Sequence, residues 1–180
     1  MKRAGLVLVA TALAGLGFGA AGSTAAPTSA ALDASEARVA SAVQVPAGNK
    51  LVHRFYAKGV QTYTCAVGAW KSLEPAATLA DRLGRAVALH SRGPIWVSTA
   101  DGSAVEAAPV DGARNEVQGA VPELLLKAKS TRGAGTFAGV SYVQRLATKG
   151  GLAPAGACTT EGEQTSVPYE ALYTFSVPAV

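Results

Sequence analysis

The sequence predicts an all-β domain, an antiparallel β-sandwich or barrel of about eight to ten strands held by one disulfide. Short runs rich in β-branched and aromatic residues alternate polar and apolar positions. Turn signals separate these runs about every eight to twelve residues, and no long run with a helical period follows the N-terminal arm. A hydrophobic content of 49% with 16% charged residues is typical of a globular domain.

The N-terminus is typical of a secretory signal peptide. Lys2 and Arg3 precede an uncharged apolar stretch over residues 4–21, and Ser23 and Ala25 match the small-x-small pattern of a cleavage site. We therefore predict a signal peptide over residues 1–25 and a secreted, extracellular protein. The apolar run is rich in Gly and Ala and shorter than the roughly 20 residues of a membrane span, so no stable membrane anchor is expected after cleavage.

Residues 26–48 are predicted to form a flexible arm, because they contribute few large apolar side chains to a core. The alternative for this stretch is a short helix capped by Asp33, with Glu36 completing a capping box. Residues 49–180 are predicted to form a single β domain, since a mature chain of about 155 residues suffices for one domain with a core.

Turn signals divide this domain into strands. Lys58-Gly59 is predicted to join the first two strands in a hairpin, and an Asp-x-x-Gly turn at 81–84 follows the next run. Asp101-Gly102 is predicted to form a further hairpin turn. Residues 109–122 are polar and form the longest predicted loop. The later strands are predicted in the runs "ELLLKAKS", "TFAGVSYVQRLAT" and "YEALYTFSV".

Cys65 and Cys158 are the only cysteines. In an exported protein an isolated pair favours one disulfide, which here closes a loop with a sequence separation of 93 residues. The chain-entropy treatment of such a loop gives roughly 4–5 kcal/mol of stabilisation. Metal ligation is the alternative, but the sequence has no CxxC motif and only two histidines, His53 and His90.

The charge of the mature chain argues against nucleic acid as a partner. Loss of Lys2 and Arg3 with the signal peptide reduces the 16 basic residues to 14, against 12 acidic ones, for a net charge of +2. A nucleic-acid binder is expected to carry a basic stripe with interleaved aromatic residues. The nearest candidate, with Lys127, Lys129 and Arg132, alternates with apolar residues as the solvated face of a strand does.

Several ordered motifs resemble an uncharacterised family. They are "VPAGNKLVHRFYAKGVQTYTC", then Trp70, then "AATLADRLGRAVALHSRGPIWVSTADGSAV", then "VPELLLKAKSTRGAGTFAGVSYVQRLATKGG" and Cys158. The stretch from about Val45 to Phe175 is similar to a domain of unknown function (DUF3455), whose members look secreted. Typical members have an aromatic residue where this chain has Glu123, so the resemblance implies different packing there. It implies the extent of the domain and leaves the function open.

The common catalytic templates are absent from the sequence. It has no G-x-S-x-G, S-x-x-K, H-E-x-x-H, Walker A or EF-hand pattern. With two histidines, a three-histidine zinc site is excluded, and a site that joins His53 and His90 would require their separate strands to meet. We therefore expect no catalytic residues, no cofactor and no metal.

The stretch "HSRGPIWVSTADGSAV" holds the candidate ligand-binding residues His90, Trp96 and Asp101. His90 and Asp101 could act with the hydroxyl of Ser98 or Ser103 as a hydrolase does. The interpretation we favour has His90 bonding a loop carbonyl at the end of a strand, while Asp101 shapes the turn. Trp96 either packs in the core or lies exposed as a stacking platform, and the short alternation favours the core.

These observations predict a secreted, non-catalytic β-domain protein that acts as a binding or surface-interaction module. Its partner is expected to be a small molecule, a glycan or another surface, bound at the end that carries His90, Trp96, Asp101 and the 109–122 loop. One alternative is a small extracellular hydrolase that uses His90 and Asp101. A second alternative is a structural protein of the cell envelope.

Overall fold

The computed structural model describes residues 39–180. The predicted signal peptide and residues 26–38 of the predicted arm lie outside the described residues. In the described part, eight antiparallel strands form one sheet that closes into a barrel, which confirms the all-β prediction at the low end of its strand count. The strands are β1 (Asn49–Ala66), β2 (Ala69–Ala80), β3 (Ala86–Ser91), β4 (Ile95–Ser98), β5 (Ala104–Val117), β6 (Ala120–Arg132), β7 (Tyr142–Gly150) and β8 (Gln164–Pro178). None of the helical structure in residues 39–180 meets the length and apolarity of a membrane span.

The strand order follows the chain, and β8 pairs with β1 to complete the ring. Successive connections therefore alternate between the two ends of the barrel. We call the end with the turns at 67–68, 92–94 and 118–119 and the 151–163 connection the upper end. The lower end has the turns at 81–85 and 99–103 and the 133–141 segment.

Aromatic side chains fill the lower half of the barrel. Phe137, in the 133–141 segment, is fully buried, and its ring lies 4.8 Å from that of Phe175 and 6.4 Å from that of Phe55. The Phe137 amide donates a hydrogen bond to Ser103 Oγ at 3.0 Å. The 133–141 segment thus closes the lower end with a packed aromatic side chain.

The end of the predicted arm packs against the outside of the barrel. A 3-10 helix, Ser41–Val43, places the fully buried Val43 with Leu125 and Leu146 in a second hydrophobic cluster. Gln144 Nε2 donates to the Val43 carbonyl at 2.6 Å. The expectation of a loose arm therefore does not describe residues 39–48, because one small apolar side chain fills a site on the outer face of the sheet.

The predicted hairpin at Lys58-Gly59 is wrong. β1 continues through Gly59 to Ala66, and the turn is Val67-Gly68, where φ is 53° and 71°. The strand requires glycine at position 59, because a Cβ there would come within 2.1 Å of the Ala76 carbonyl oxygen on β2. Glycine in a strand marks such a close backbone approach.

The predicted loop at 109–122 is also wrong. β5 extends to Val117, and the two strands meet at a short turn before Ala120. Between Pro109 and Arg114 the strand advances five residues while its partner advances two, from Leu126 to Leu124. This bulge interrupts the alternation of polar and apolar residues, so the sequence pattern is that of a loop.

The disulfide between Cys65 and Cys158 is present, with a Cα–Cα distance of 5.7 Å. It joins the upper end of β1 to the 151–163 connection. Backbone hydrogen bonds between Cys65 and both Gly162 and Glu163 lie beside it. The bridge therefore holds the longest upper connection against the first strand.

Candidate functional site

A cavity of about 130 Å³ lies inside the upper half of the barrel and is partly open. Its polar lining consists of Gln61, Ser72, His90, Trp96, Arg145 and Tyr173. Its apolar lining consists of Pro75, Pro94, Pro109, Leu124 and Leu126. The aromatic packing at the lower end and the cavity at the upper end divide the interior between a core and a candidate ligand site.

His90 and Trp96 form the aromatic wall of this cavity. They are paired across β3 and β4, and their rings stack with centroids 4.3 Å apart and an interplanar angle of 1°. The Tyr173 ring meets both edge-on, at 5.1 Å from His90 and 5.3 Å from Trp96. Trp96 has no exposed surface, so it is a core residue that borders a cavity and not an exposed platform.

The hydrogen bonding of His90 defines its tautomer. Its Nδ1 lies 3.0 Å from the Ile95 carbonyl oxygen. A carbonyl only accepts, so we assign the ring proton to Nδ1, which leaves the Nε2 lone pair unprotonated. Burial lowers the pKa of His90 to about 4, and the positive charge of Arg145 also lowers it. His90 is therefore neutral near pH 7, and the favoured interpretation of a strand-end histidine bonded to a carbonyl agrees with this geometry.

Several buried donors in the upper interior have no hydrogen-bond partner. Within residues 39–180, Gln61 Nε2, Trp96 Nε1 and the Tyr169 hydroxyl make no hydrogen bond of good geometry, although the side chains of Gln61 and Tyr173 lie close enough to the Tyr169 hydroxyl to affect its pKa. The Trp96 N–H can only donate, so it requires an acceptor. Because Gln61 and Trp96 both line the cavity, an acceptor held there is the simplest partner for them.

Arg145 adds a positive charge to the same cavity. Its Nε donates to the Pro122 carbonyl at 3.0 Å, and it forms no salt bridge with any carboxylate in the described residues. Buried or half-buried charges are ordinarily paired. Burial raises the pKa of the Tyr63, Tyr169 and Tyr173 hydroxyls, and the charge of Arg145 opposes this rise. The same charge adds to the effect of burial in lowering the pKa of His90.

Asp101 lies at the other end of the barrel and does not line the cavity. Its Oδ1 accepts the Ser103 amide at 2.8 Å, and its Oδ2 accepts both the amide and the hydroxyl of Thr136, at 2.9 and 2.8 Å. The Ser103 hydroxyl, together with these amide and hydroxyl donors, holds the pKa of the Asp101 carboxyl well below its usual range. The carboxylate thus fixes the β4–β5 turn to the 133–141 segment.

The structure does not bring the three predicted ligand-binding residues together. His90 pairs with Trp96 at the upper end of β4, whereas Asp101 follows the lower end of that strand. The two candidate hydroxyls also lie near Asp101: Ser103 Oγ accepts the Phe137 amide, and Ser98 Oγ lies 3.3 Å from the Thr136 hydroxyl.

Sequence reasoning missed Gln61 and Arg145. The alternation of strand residues could have identified both as facing the interior. Gln61 shares a strand face with Tyr63, and Arg145 shares one with Val143, which is fully buried. In both strands the neighbours in phase with the polar residue belong to the barrel interior, and a polar residue on an inward face is a candidate for binding.

Comparison with known protein families identifies one to which this chain is similar. A family model described as a protein of unknown function (DUF3455) matches residues 83–176, just over half of the chain. The matched region contains His90, Trp96, Arg145 and Tyr173, and it begins after Gln61. No curated protein and no solved structure matches.

Proposed function

The chain belongs to the DUF3455 family of proteins of unknown function, and we propose that it is a secreted, non-catalytic binding protein that takes a small organic molecule into its upper cavity. Eight-stranded barrels are just wide enough to hold side chains or one small ligand. The size of the cavity supports a ligand of modest dimensions. A 130 Å³ space is close to the roughly 150 Å³ of an engineered cavity that binds benzene.

The unpartnered donors are the observation that carries this proposal. A buried donor without a partner costs about 1–3 kcal/mol of folding free energy. Gln61 Nε2 and Trp96 Nε1 both incur this cost, and both side chains line the cavity. A ligand with hydrogen-bond acceptors recovers it on binding. The aromatic and proline-rich walls supply apolar contact for the rest of the ligand.

Export from the cell is supported by the signal-like N-terminus and by the Cys65–Cys158 disulfide, since disulfides persist mainly in oxidising compartments. Mass spectrometry of the protein from the culture medium tests this part. We expect a chain that begins at Ala26 or Pro27. A protein retained inside cells with Lys2 and Arg3 still attached would contradict export.

The binding proposal is tested through the indole N–H groups. The chain has two tryptophans, so ¹⁵N spectra should contain two indole signals, from Trp70 and Trp96. In a titration with a panel of ring-sized organic acids, amides, alcohols and amines, we expect a binder to shift the Trp96 signal and leave that of Trp70 in place. No shift of the Trp96 signal with any member of the panel would contradict the proposal.

A matched pair of variants locates the binding. Ser72 lines the cavity and is exposed, so Ser72→Phe is expected to fill the cavity mouth and abolish the Trp96 response. Thr78 is exposed on the same strand and does not line the cavity, so Thr78→Phe should leave the response unchanged. Equal responses of the two variants would place the ligand elsewhere.

A further inference from the structure

The charge balance of the cavity points to a particular ligand class. We infer that the ligand is a small monocarboxylate, and that its carboxylate pairs with the Arg145 guanidinium. This inference rests on the proposed binding function. In this interpretation the ligand carboxylate pairs with the Arg145 charge and accepts hydrogen bonds from the unpartnered donors of the cavity.

Arg145, Gln61 and Trp96 present donors to the upper interior, alongside the unprotonated Nε2 of His90. Arg145 uses Nε for the Pro122 carbonyl and also hydrogen-bonds Tyr173 through its side chain, and its remaining N–H groups can bind a carboxylate in a forked arrangement. Gln61 Nε2 and Trp96 Nε1 add two neutral donors. A carboxylate only accepts, with two oxygens and about four lone-pair sites, so it matches this set without requiring an acceptor from the protein.

Neutral and cationic ligands match the cavity less well. An amide or an alcohol accepts hydrogen bonds but leaves the Arg145 charge uncompensated, and an amine adds a second positive charge. No carboxylate from the described residues forms a salt bridge with Arg145, so residues 39–180 do not supply the counter-charge. An anionic ligand group is therefore favoured.

The apolar walls distinguish an organic acid from an inorganic anion. Pro75, Pro94 and Leu126 offer no hydrogen bonds to further oxygens, and the stacked rings of His90 and Trp96 add an aromatic wall. A phosphate would bring oxygens that these walls leave unpaired. A carboxylate attached to a ring or short alkyl group places its oxygens at one end and its apolar body against the walls.

Benzoate is a suitable probe, with benzamide as its neutral counterpart of similar shape. By calorimetry at pH 7, we expect benzoate to bind at least about 10-fold more tightly than benzamide, benzylamine or inorganic phosphate, as the loss of a charge-assisted pair implies. Equal affinities for benzoate and benzamide would overturn the carboxylate inference and leave the cavity proposal standing. Equal affinities for benzoate and phosphate would overturn the organic part. Failure of every panel member to bind would contradict both.

Arg145→Met removes the charge and retains an unbranched apolar side chain. We expect it to weaken benzoate binding by about 10–100-fold and to change benzamide binding little. Arg132→Met is the matched control, because Arg132 is exposed at the lower end of β6. It should retain benzoate affinity within about two-fold, since distant surface charges are screened. Unchanged benzoate affinity in a folded Arg145→Met variant would overturn the inference.

Arg145→Lys keeps the positive charge and tests the forked arrangement if the methionine variant fails to fold. A lysine presents a point charge without the planar fork, so benzoate affinity should fall between those of the wild type and the methionine variant. Circular dichroism establishes that each variant is folded. Wild-type affinity in Arg145→Lys would contradict the forked contact, and no preference of that variant for benzoate over benzamide would contradict the charge pairing.

Discussion

The imidazole of His90 lies parallel to the indole of Trp96, with ring centroids 4.3 Å apart. This pair joins two neighbouring strands and forms a wall of the upper cavity. Only 4% of the surface of His90 is exposed, and the interior around it also contains the charge of Arg145. The protonation of His90 is therefore coupled to the stability of the fold.

Acid should destabilise the protein through His90. Its pKa of about 4 in the folded state lies below the ordinary value of 6.5, so the unfolded chain takes up a proton first as the pH falls. The free energy of unfolding should decrease between pH 6.5 and 4 by an amount on the order of 3 kcal/mol from this group, and level off below pH 4. Urea unfolding across this range measures the effect. His90→Gln should lack this component, and a pH dependence identical to that of the wild type would contradict it.

Two buried glutamines should respond in opposite directions to the same substitution. Gln61 has an unpartnered Nε2, so Gln61→Leu should stabilise the free protein by about 1 kcal/mol and weaken the binding of ligands. Gln144 donates to the Val43 carbonyl and accepts from the Thr174 hydroxyl, so Gln144→Leu should destabilise it by about 2–3 kcal/mol. Denaturant unfolding gives both values. A loss of stability in Gln61→Leu as large as that in Gln144→Leu would contradict the account of the cavity donors.

Asp101 should affect stability and not binding. Asp101→Asn places an amide group where one carboxylate oxygen now accepts hydrogen bonds, so the variant should unfold at a lower temperature at pH 7. Because the folded-state pKa is lowered, the carboxylate's contribution is present above the ordinary pKa and is lost as the pH falls below about 4. The Trp96 indole response to benzoate should match that of the wild type, and its loss in a folded variant would contradict the separation of the two ends.

The disulfide should stabilise the upper end substantially. Replacing Cys65 and Cys158 together by Ala should lower the free energy of unfolding by about 2–4 kcal/mol, less than loop entropy alone gives, because the unfolded chain without the bridge retains some structure. Urea unfolding of wild-type protein with a reductant should reproduce this loss, and the same reductant should not affect the double variant. The reductant has no effect on the wild type if the bridge resists reduction, and a thiol assay then finds no free thiols. In that case the stability of the double variant alone gives the size of the effect.

The β1–β2 turn contains a residue that is poorly suited to its backbone conformation. Val67 has a φ of 53° and a 94% exposed side chain. A β-branched residue is strained in this region, whereas Asn-Gly is the preferred pair for such a two-residue turn. Val67→Asn should therefore raise the free energy of unfolding by about 1 kcal/mol, measured as a higher midpoint of thermal unfolding. Val67→Thr retains the β-branch and should show no gain. Equal stability of the two variants would contradict the strain.

Some of this structure was predictable from local pattern. The Asp101-Gly102 turn and the inward set Tyr173, Phe175 and Val177 follow from hairpin chemistry and strand alternation, and the disulfide follows from the number and compartment of the cysteines. These features depend on residues near one another in sequence or on composition alone.

The cavity was less predictable because it depends on how the sheet closes. Ile95, Trp96 and Val97 are all apolar, so alternation in β4 does not reveal which face is inside. Arg145 comes to the same interior as His90 only because β7 lies across the closed barrel from β3. Pairing between distant strands, which no local pattern encodes, therefore determines the site.

A crystal structure of the protein with benzoate bound is the most direct test of the central claim, that the upper cavity binds a small monocarboxylate. The account predicts an occupied cavity, with the ring against the stack of His90 and Trp96 and the carboxylate within about 3 Å of the Arg145 guanidinium. A cavity that contains only water at saturating benzoate, or benzoate bound elsewhere on the barrel, would contradict it.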